Sequence, residues 1–170
     1  MQDALTKLNE LAPDEAHQEF LKCCGSPAWA RNLVGERPFA TVDELLSKAK
    51  DVWWSLSAND WLEAFHSHPR IGEQRAAKDV VQQARAWSEA EQAGTRGAAP
   101  ETQEALATGN REYEKRFGYI FIVCATGKSA AEICEILRER LHHDADEELR
   151  VAAEEQRKIT ELRLKKTLME

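Results

Sequence analysis

The chain has 170 residues, of which 42% are apolar and 31% are charged, and its formal net charge is −7. This length and composition predict one globular domain rather than a disordered chain or a disulfide-stapled miniprotein. The acidic balance argues against a nucleic-acid binder, which would present a basic face. No apolar run reaches the length of a membrane span, and the first residues lack a signal-peptide pattern, so we expect a cytoplasmic protein with no membrane partner.

Helical periodicity and start signals dominate the first part of the chain. Pro13 suits the first turn of a helix, and residues 25–27 break the chain before a second, short helix. Thr41 and Glu44 form a capping-box pattern in front of an apolar stripe. A further helix start is predicted at Ser57.

The second part of the chain is also predicted to be helical. Helices are predicted over residues 73–87, 101–117, 129–143 and 144–168, with a new start at Ser88. Residues 118–125 are apolar enough for a strand, but no partner strand is apparent, so we expect a buried loop or a helix start. The last helix is predicted to place six residues along one side: Leu149, Ala152, Gln156, Ile159, Leu162 and Arg163. The sequence therefore predicts an all-α fold, a single-domain bundle of about eight helices over residues 1–170.

The four cysteines are predicted to be reduced and structural. Cys23 and Cys24 are adjacent, a spacing that rarely forms a disulfide, and Cys124 and Cys134 lie in apolar surroundings. The chain contains no CxxC motif, so neither a dithiol redox site nor a zinc knuckle is indicated.

His68 is the first candidate for chemistry. It directly precedes Pro69, which favours extended backbone at the end of a helix and fixes the direction of the ring. Such a histidine suits an acid or base that faces a cavity, although it would also suit a residue that interacts with the last helix carbonyls. His66 is close by, but no third ligand follows at a recognisable spacing, so no metal site is predicted.

Two further segments each have a functional and a structural interpretation, and Arg163 has only a structural one at this point. Ser88 and Glu91 match a capping box; alternatively, the helix N-terminus binds an anion, with Glu91 and Gln92 lining the pocket. Residues 117–123 are typical of core, but their amides would also be able to face a ligand. Arg163 lies between leucines, which is typical of a side chain that keeps its charged head in water.

Taken in order, these motifs resemble one protein family. The matching segments are Trp29, Arg37-Pro38-Phe39, His68-Pro69, Ser88-x-x-Glu91-Gln92, Tyr113-x-x-x-Phe117-Gly118-Tyr119-Ile120-Phe121 and Lys158-Ile159-x-x-Leu162-Arg163-Leu164. The chain is similar to the 2-oxo-4-hydroxy-4-carboxy-5-ureidoimidazoline (OHCU) decarboxylases of urate degradation over residues 20–168. It departs at Arg70-Ile71, where many members have an acidic residue and a leucine.

The resemblance implies an all-α homodimer that needs no cofactor or metal and decarboxylates a small ureidoimidazoline to (S)-allantoin in purine catabolism. It implies that His68 donates a proton and that Glu91 positions His68 or holds the ureido group. Ser88 and Gln92 would bind the ring, and Arg163 would bind a carboxylate or carbonyl oxygen. The other implied substrate-binding residues are Pro69, Phe121, Ile122, Val123 and Ala125.

Two alternatives remain at this point. A lyase or hydrolase for another ureide would use His68 and Glu91 as a base pair. A non-catalytic α-helical interaction module would use every motif above only as a helix cap or as core.

Overall fold

The computed structural model describes residues 1–71 and 82–169. Within these ranges the protein is all-α, with nine α-helices, one short 3-10 helix at Ala93–Thr95 and no strand. The helices are α1 (Gln2–Glu10), α2 (Pro13–Cys23), α3 (Pro27–Gly35), α4 (Val42–Ser55), α5 (Ala58–His66), α6 (Gln82–Glu91), α7 (Pro100–Phe117), α8 (Ala130–Arg140) and α9 (Ala145–Thr167). The predicted all-α class is confirmed. The part of the predicted helix 73–87 that precedes residue 82 lies outside the described residues. None of the described helices is long and apolar enough to cross a membrane.

Side-chain caps start three of these helices where the sequence predicts a start or a break. The hydroxyls of Ser26, Thr41 and Ser129 accept the backbone N–H groups of Trp29, Glu44 and Glu132 at 3.2, 3.1 and 3.2 Å. Each cap satisfies an N–H that the first helical turn leaves without an intrahelical acceptor. Helix α8 ends at Arg140, three residues earlier than predicted. Helix α1 was not predicted as a separate element.

Contacts divide the chain into two compact units. Unit 1 comprises residues 1–64 and 157–170, and unit 2 comprises residues 65–156. The first half of α9 therefore belongs to unit 2 and its second half to unit 1.

The core of unit 1 is aromatic and aliphatic. Trp29 and Trp53 are buried, and the Trp29 indole N–H donates to the carbonyl of Ala49 at 3.0 Å. The Phe20 ring meets Trp29 edge to face, with centroids 5.9 Å apart. Large aromatic side chains bury much apolar area, and the indole N–H has the partner that a buried tryptophan needs.

Arg37 explains part of the Arg-Pro-Phe motif. Its guanidinium donates to the carbonyls of Leu8 and Leu11 at 2.9 and 2.8 Å, so it satisfies acceptors at the end of α1. The amide of Asn9 donates to the carbonyl of Phe39 at 2.8 Å. The motif therefore has a structural role in unit 1, because it ties the end of α1 to the segment before α4.

The core of unit 2 contains a buried ion pair. Arg140 donates to the carboxylate of Glu148 at 2.8 Å through Nε, and both side chains are at most 4% exposed. Tyr113 donates a short hydrogen bond to the same carboxylate, and burial raises the pKa of its phenol. Arg140 also donates to the carbonyl of Ile122 at 2.6 Å. The ion pair thereby holds an irregular segment of backbone as well as two helices.

Candidate active site

His68 lies two residues beyond the end of α5. Its backbone N–H donates to the carbonyl of Phe65 at 3.1 Å, which confirms the predicted helix end. Its half-buried ring points to α9, where Nε2 lies 2.6 Å from Oε1 of the fully buried Gln156. The ring is therefore held by a side-chain amide rather than serving as a cap for the last carbonyls of α5. His66, by contrast, is exposed.

Ser88 does not start a helix. The capping box and the anion site at a helix N-terminus both depend on such a start, so both interpretations of this segment are wrong. Helix α6 covers Gln82–Glu91, so Ser88 is in its interior, and its hydroxyl donates to the carbonyl of Ala84 at 2.9 Å. A serine in a helix commonly bonds the carbonyl four residues earlier, and the N–H groups around it serve the helix itself. Glu91 is buried and ends α6, and the partly exposed Gln92 follows it, so an anion site at a helix N-terminus does not exist here.

Residues 118–125 form a buried loop, as predicted. Gly118 ends α7 with a φ of 81°, a conformation that glycine adopts without strain. Four apolar residues of the loop that were named as site candidates are at most 4% exposed: Phe121, Ile122, Val123 and Ala125. The core interpretation of this run therefore holds for its side chains.

The peptide groups around Cys124 are fixed from both sides. The N–H of Cys124 donates to the Glu155 carboxylate at 2.7 Å, and Nζ of Lys128 donates to the carbonyl of Cys124 at 2.8 Å. Burial raises the pKa of the Cys124 thiol, and the negative charges of Glu155 and Glu91 raise it further.

A close backbone contact joins the segment after α6 to Lys128, in the turn that directly follows this loop. A Cβ on Gly94 would lie 2.2 Å from the carbonyl oxygen of Lys128, far inside van der Waals contact. Only glycine permits this approach. Three segments of unit 2 therefore lie in one region: the end of α6, the 121–125 loop and residues 155–156 of α9. The His68 ring contacts Gln156 in this region.

Arg163 belongs to unit 1. It is 3% exposed, so the prediction of a side chain with its head in water is wrong. Its positive charge lowers the pKa of the Cys23 and Cys24 thiols, but burial dominates and raises them to about 12 and 11. All four cysteines are buried and free, and thiols with such pKa values are poor nucleophiles near neutral pH.

No metal centre is apparent in the part of the chain that the structure describes. Within residues 1–71 and 82–169, no three His, Cys, Asp or Glu side chains are grouped so that they would be able to hold an ion.

Glu155 and Gln156 are site residues that the sequence motifs do not indicate. The sequence pattern places Gln156 along one side of the last helix, and the structure shows that it is buried there. A polar residue among apolar ones on such a side is a signal of a specific partner. Glu155 gave no such signal, because it is one of many acidic residues on a charged helix.

Comparison with known proteins identifies the family. The family model described as OHCU decarboxylase matches residues 9–165. The chain belongs to the OHCU decarboxylase family. This confirms the family predicted from the sequence motifs.

Individual family members differ in length. The chain is 39% identical over 158 residues to the uric acid degradation bifunctional protein TTL of Arabidopsis thaliana, a match that covers 92% of this chain and 48% of that protein. The chain thus spans about half the length of this relative. It is 29% identical to the 2-oxo-4-hydroxy-4-carboxy-5-ureidoimidazoline decarboxylase of Haloferax volcanii, with 94% of this chain and 93% of that one covered.

A solved member of the family has the same fold. The crystal structure of an OHCU decarboxylase in the presence of (S)-allantoin aligns with a TM-score of 0.75 and 35% identity. The alignment covers 89% of this chain and 98% of that chain.

Proposed function

We propose that this protein decarboxylates 2-oxo-4-hydroxy-4-carboxy-5-ureidoimidazoline to (S)-allantoin and CO2. The observation that carries the proposal is the position of His68, half-buried beyond the end of α5 with its ring held by Gln156. Family membership supports it, as does the Haloferax relative, whose length the chain nearly spans. The fold shared with an OHCU decarboxylase crystallised in the presence of (S)-allantoin is consistent with the same substrate class.

The proposed reaction breaks the bond between the ring carbon and the carboxylate. CO2 leaves, and its bonding electron pair passes into the ring as the C=N bond opens towards nitrogen. The neighbouring ring carbon, which carries the ureido group, gains one proton, and the hydroxyl proton moves to the ring nitrogen as the C–OH group becomes the carbonyl of allantoin. Because the ring itself accepts the electron pair, no pyridoxal or thiamine cofactor is needed as a sink. We assign the proton to His68, since general acid catalysis by a positioned imidazole typically contributes about 10²–10⁴ in rate. Delivery from one side of the ring would give a single enantiomer.

The remaining residues are assigned to substrate binding. Glu91, buried at the end of α6, would hold the ureido N–H groups or orient His68, and Gln92 would bind the ring. The hydroxyl of Ser88 already donates to Ala84, so it would serve the substrate as an acceptor. Pro69 and the buried loop residues Phe121, Ile122, Val123 and Ala125 would exclude water, and the loop amides would stabilise developing negative charge. Arg163 would bind a carboxylate or carbonyl oxygen with its planar fork.

The chirality of the product tests this function. The hydrolysed product of urate oxidation is prepared fresh and incubated with the full-length protein, and optical rotation is followed. Rapid appearance of the dextrorotatory (S)-allantoin supports the proposal. A signal that is the same with and without protein would contradict it and favour a non-catalytic helical module, and a different ureide product would favour another lyase or hydrolase.

His68→Asn tests the assigned acid. The variant keeps a hydrogen-bonding group of similar size but removes the titrating proton, so the rate should fall at least about 100-fold while allantoin still binds. His66→Asn is the matched control, because that histidine is exposed and should lose little activity. Near-normal (S)-allantoin production by His68→Asn would refute the assigned role.

Glu91→Gln tests whether the carboxylate is needed. Glutamine preserves the shape of the side chain, so folding should be intact, but turnover should collapse if charge orients His68 or binds the ureido group. Circular dichroism and the chirality assay measure the two properties separately. An active Glu91→Gln enzyme would assign this residue to the structure of α6 only.

We also propose that the protein works as a cytoplasmic homodimer without a metal ion. Family resemblance supports the dimer, and the absence of a membrane-spanning helix among the described residues is compatible with the location. Light scattering at micromolar concentration should give a dimer mass, and a monomer mass would contradict it. Activity lost on chelation and restored by zinc or manganese would contradict the metal-free mechanism.

A further inference from the structure

We propose that Gln156 is a positioning residue that fixes His68 as its Nε2–H tautomer, so that the proton exchanged in catalysis resides on Nδ1. The inference rests on the proposed function in that it assigns an atom to the proton transfer. It starts from one contact, the 2.6 Å between Nε2 of His68 and Oε1 of Gln156.

The chemistry of the two groups determines the direction of this hydrogen bond. An amide oxygen has no hydrogen and only accepts, so Nε2 must carry the proton that is shared. In a neutral imidazole the other nitrogen, Nδ1, is then the acceptor, and in the imidazolium form both nitrogens carry protons. Gln156 therefore keeps its hydrogen bond to His68 before and after proton transfer, and the bond is stronger to the charged imidazolium. The proton that is given up and regained is the one on Nδ1.

Because Gln156 is buried, its hydrogen bond to His68 strongly restrains the orientation of the ring. Gln156 is 0% exposed, and a buried amide oxygen that loses its donor pays the full desolvation cost. The side chain next to it, Glu155, accepts the N–H of Cys124 at 2.7 Å, so one turn of α9 holds both the imidazole and the 121–125 loop. At metal-bound histidines, a second hydrogen-bond partner fixes the tautomer and the orientation of the ring, and its loss typically costs about 10–100-fold in metal affinity or activity. We expect a comparable effect of Gln156 on His68.

Nitrogen NMR of the histidine-labelled full-length protein tests the tautomer directly. The signals of His68 are assigned as those absent from His68→Asn. In the wild-type protein above the histidine titration we expect one tautomer, with a protonated Nε2 and an unprotonated Nδ1. A protonated Nδ1 in the neutral ring would overturn the proposal, whatever the activity of the protein.

Two variants connect the tautomer to catalysis. Gln156→Leu removes the acceptor, so we expect mixed tautomers and a loss in kcat of about 10–100-fold, with KM changed by less than about threefold. Gln156→Glu keeps an oxygen acceptor and should preserve the Nε2–H tautomer, while its charge moves the imidazole titration to higher pH. Gln103→Leu is the matched control, because that exposed amide bonds only locally, to the carbonyl of Ala98 at 3.0 Å.

The outcomes separate this inference from the proposed function. Unchanged tautomer and kcat in Gln156→Leu would refute the positioning role, although the protein would still be a decarboxylase. A wild-type protein that shows the expected tautomer but makes no (S)-allantoin would refute the function and retain the structural assignment. If Gln156→Leu does not fold, the wild-type spectrum and Gln156→Glu decide the question.

Discussion

Unit 1 and unit 2 bury different kinds of side chain. The centre of unit 1 is mostly apolar, with Trp29 and Trp53 packed among leucines, although this unit also buries Arg163. Unit 2 buries the Arg140–Glu148 ion pair. Apolar packing is non-directional and joins regular helices by their faces. The irregular backbone of residues 118–125 needs directional partners, because its peptide groups cannot bond to one another as in a helix.

The polar groups of unit 2 supply those partners. Arg140 donates to the carbonyl of Ile122, and Glu155 and Lys128 bond to the two sides of Cys124. The candidate active site is built on this loop and on α9. The buried ion pair of unit 2 therefore contributes more to the shape of the site than to the net free energy of folding. Replacing a complete buried ion pair by well-packed apolar side chains is often neutral or stabilising.

The largest effect is expected when the ion pair is broken. Glu148→Leu leaves the Arg140 guanidinium buried without its carboxylate, which typically costs about 3–5 kcal/mol of folding free energy. Urea unfolding followed by circular dichroism measures this loss. Glu147→Leu is the control, because the neighbouring carboxylate is exposed and should change stability by less than about 0.5 kcal/mol. Similar stabilities of the two variants would show that the pair is not central to unit 2.

A smaller effect is expected at a close backbone contact. Gly94→Ala would place a Cβ 2.2 Å from the carbonyl oxygen of Lys128, and a backbone atom cannot move aside as a flexible side chain does. Overpacking of this kind costs about 1–3 kcal/mol and should shift the 121–125 loop, so kcat should fall as well.

Gly35→Ala provides the matched control in unit 1. No atom lies within 4 Å of a Cβ at Gly35, so this change should leave stability and activity close to those of the wild type. Thermal unfolding and the chirality assay compare the two variants. Equal behaviour of Gly94→Ala and Gly35→Ala would contradict the close contact between the two segments.

Tyrosine titration reports on unit 2 alone, because the two tyrosines of the chain, Tyr113 and Tyr119, both belong to it. Burial raises the pKa of Tyr119 to about 12 and raises that of Tyr113 as well. The unfolded chain loses these protons near pH 10 while the folded chain keeps them, so unit 2 is destabilised as the pH rises from about 10 to 12. Ultraviolet absorbance should show no tyrosinate near pH 10 in the native protein. Tyrosinate at that pH without loss of circular dichroism would contradict the burial of both phenols.

Features that depend on residues a few positions apart could be predicted from the sequence, whereas features that depend on residues far apart in the chain could not. The starts of α4 and α8 were predicted because Thr41 and Ser129 act on residues three positions away. The helix start predicted at Ser88 is wrong because Ser-x-x-Glu looks the same at a helix start and in a helix interior, and the preceding residues decide which applies. The bond from His68 to Gln156 joins residues 88 positions apart, and no local pattern encodes it. The burial of Arg163 likewise depends on tertiary packing.

The smallest effects are expected at two helix caps, and here the two units should behave alike. Thr41→Ala in unit 1 and Ser129→Ala in unit 2 each remove a hydroxyl that accepts a first-turn N–H, which typically costs about 1 kcal/mol. Both sites are exposed, so neither variant should alter kcat.

The pH dependence of the Ser129 cap sharpens the test. Hydrogen bonds from the N–H and the hydroxyl of Ser129 lower the pKa of Glu132, so their contribution is present above the ordinary glutamate pKa and is lost as the pH falls through the lowered one. The stability difference between wild type and Ser129→Ala should therefore shrink in acid. Ser129→Asp keeps an acceptor for the Glu132 N–H and should recover most of the loss at neutral pH. A loss of kcat in Ser129→Ala equal to its loss in stability would show that this cap, unlike that of Thr41, also shapes the site.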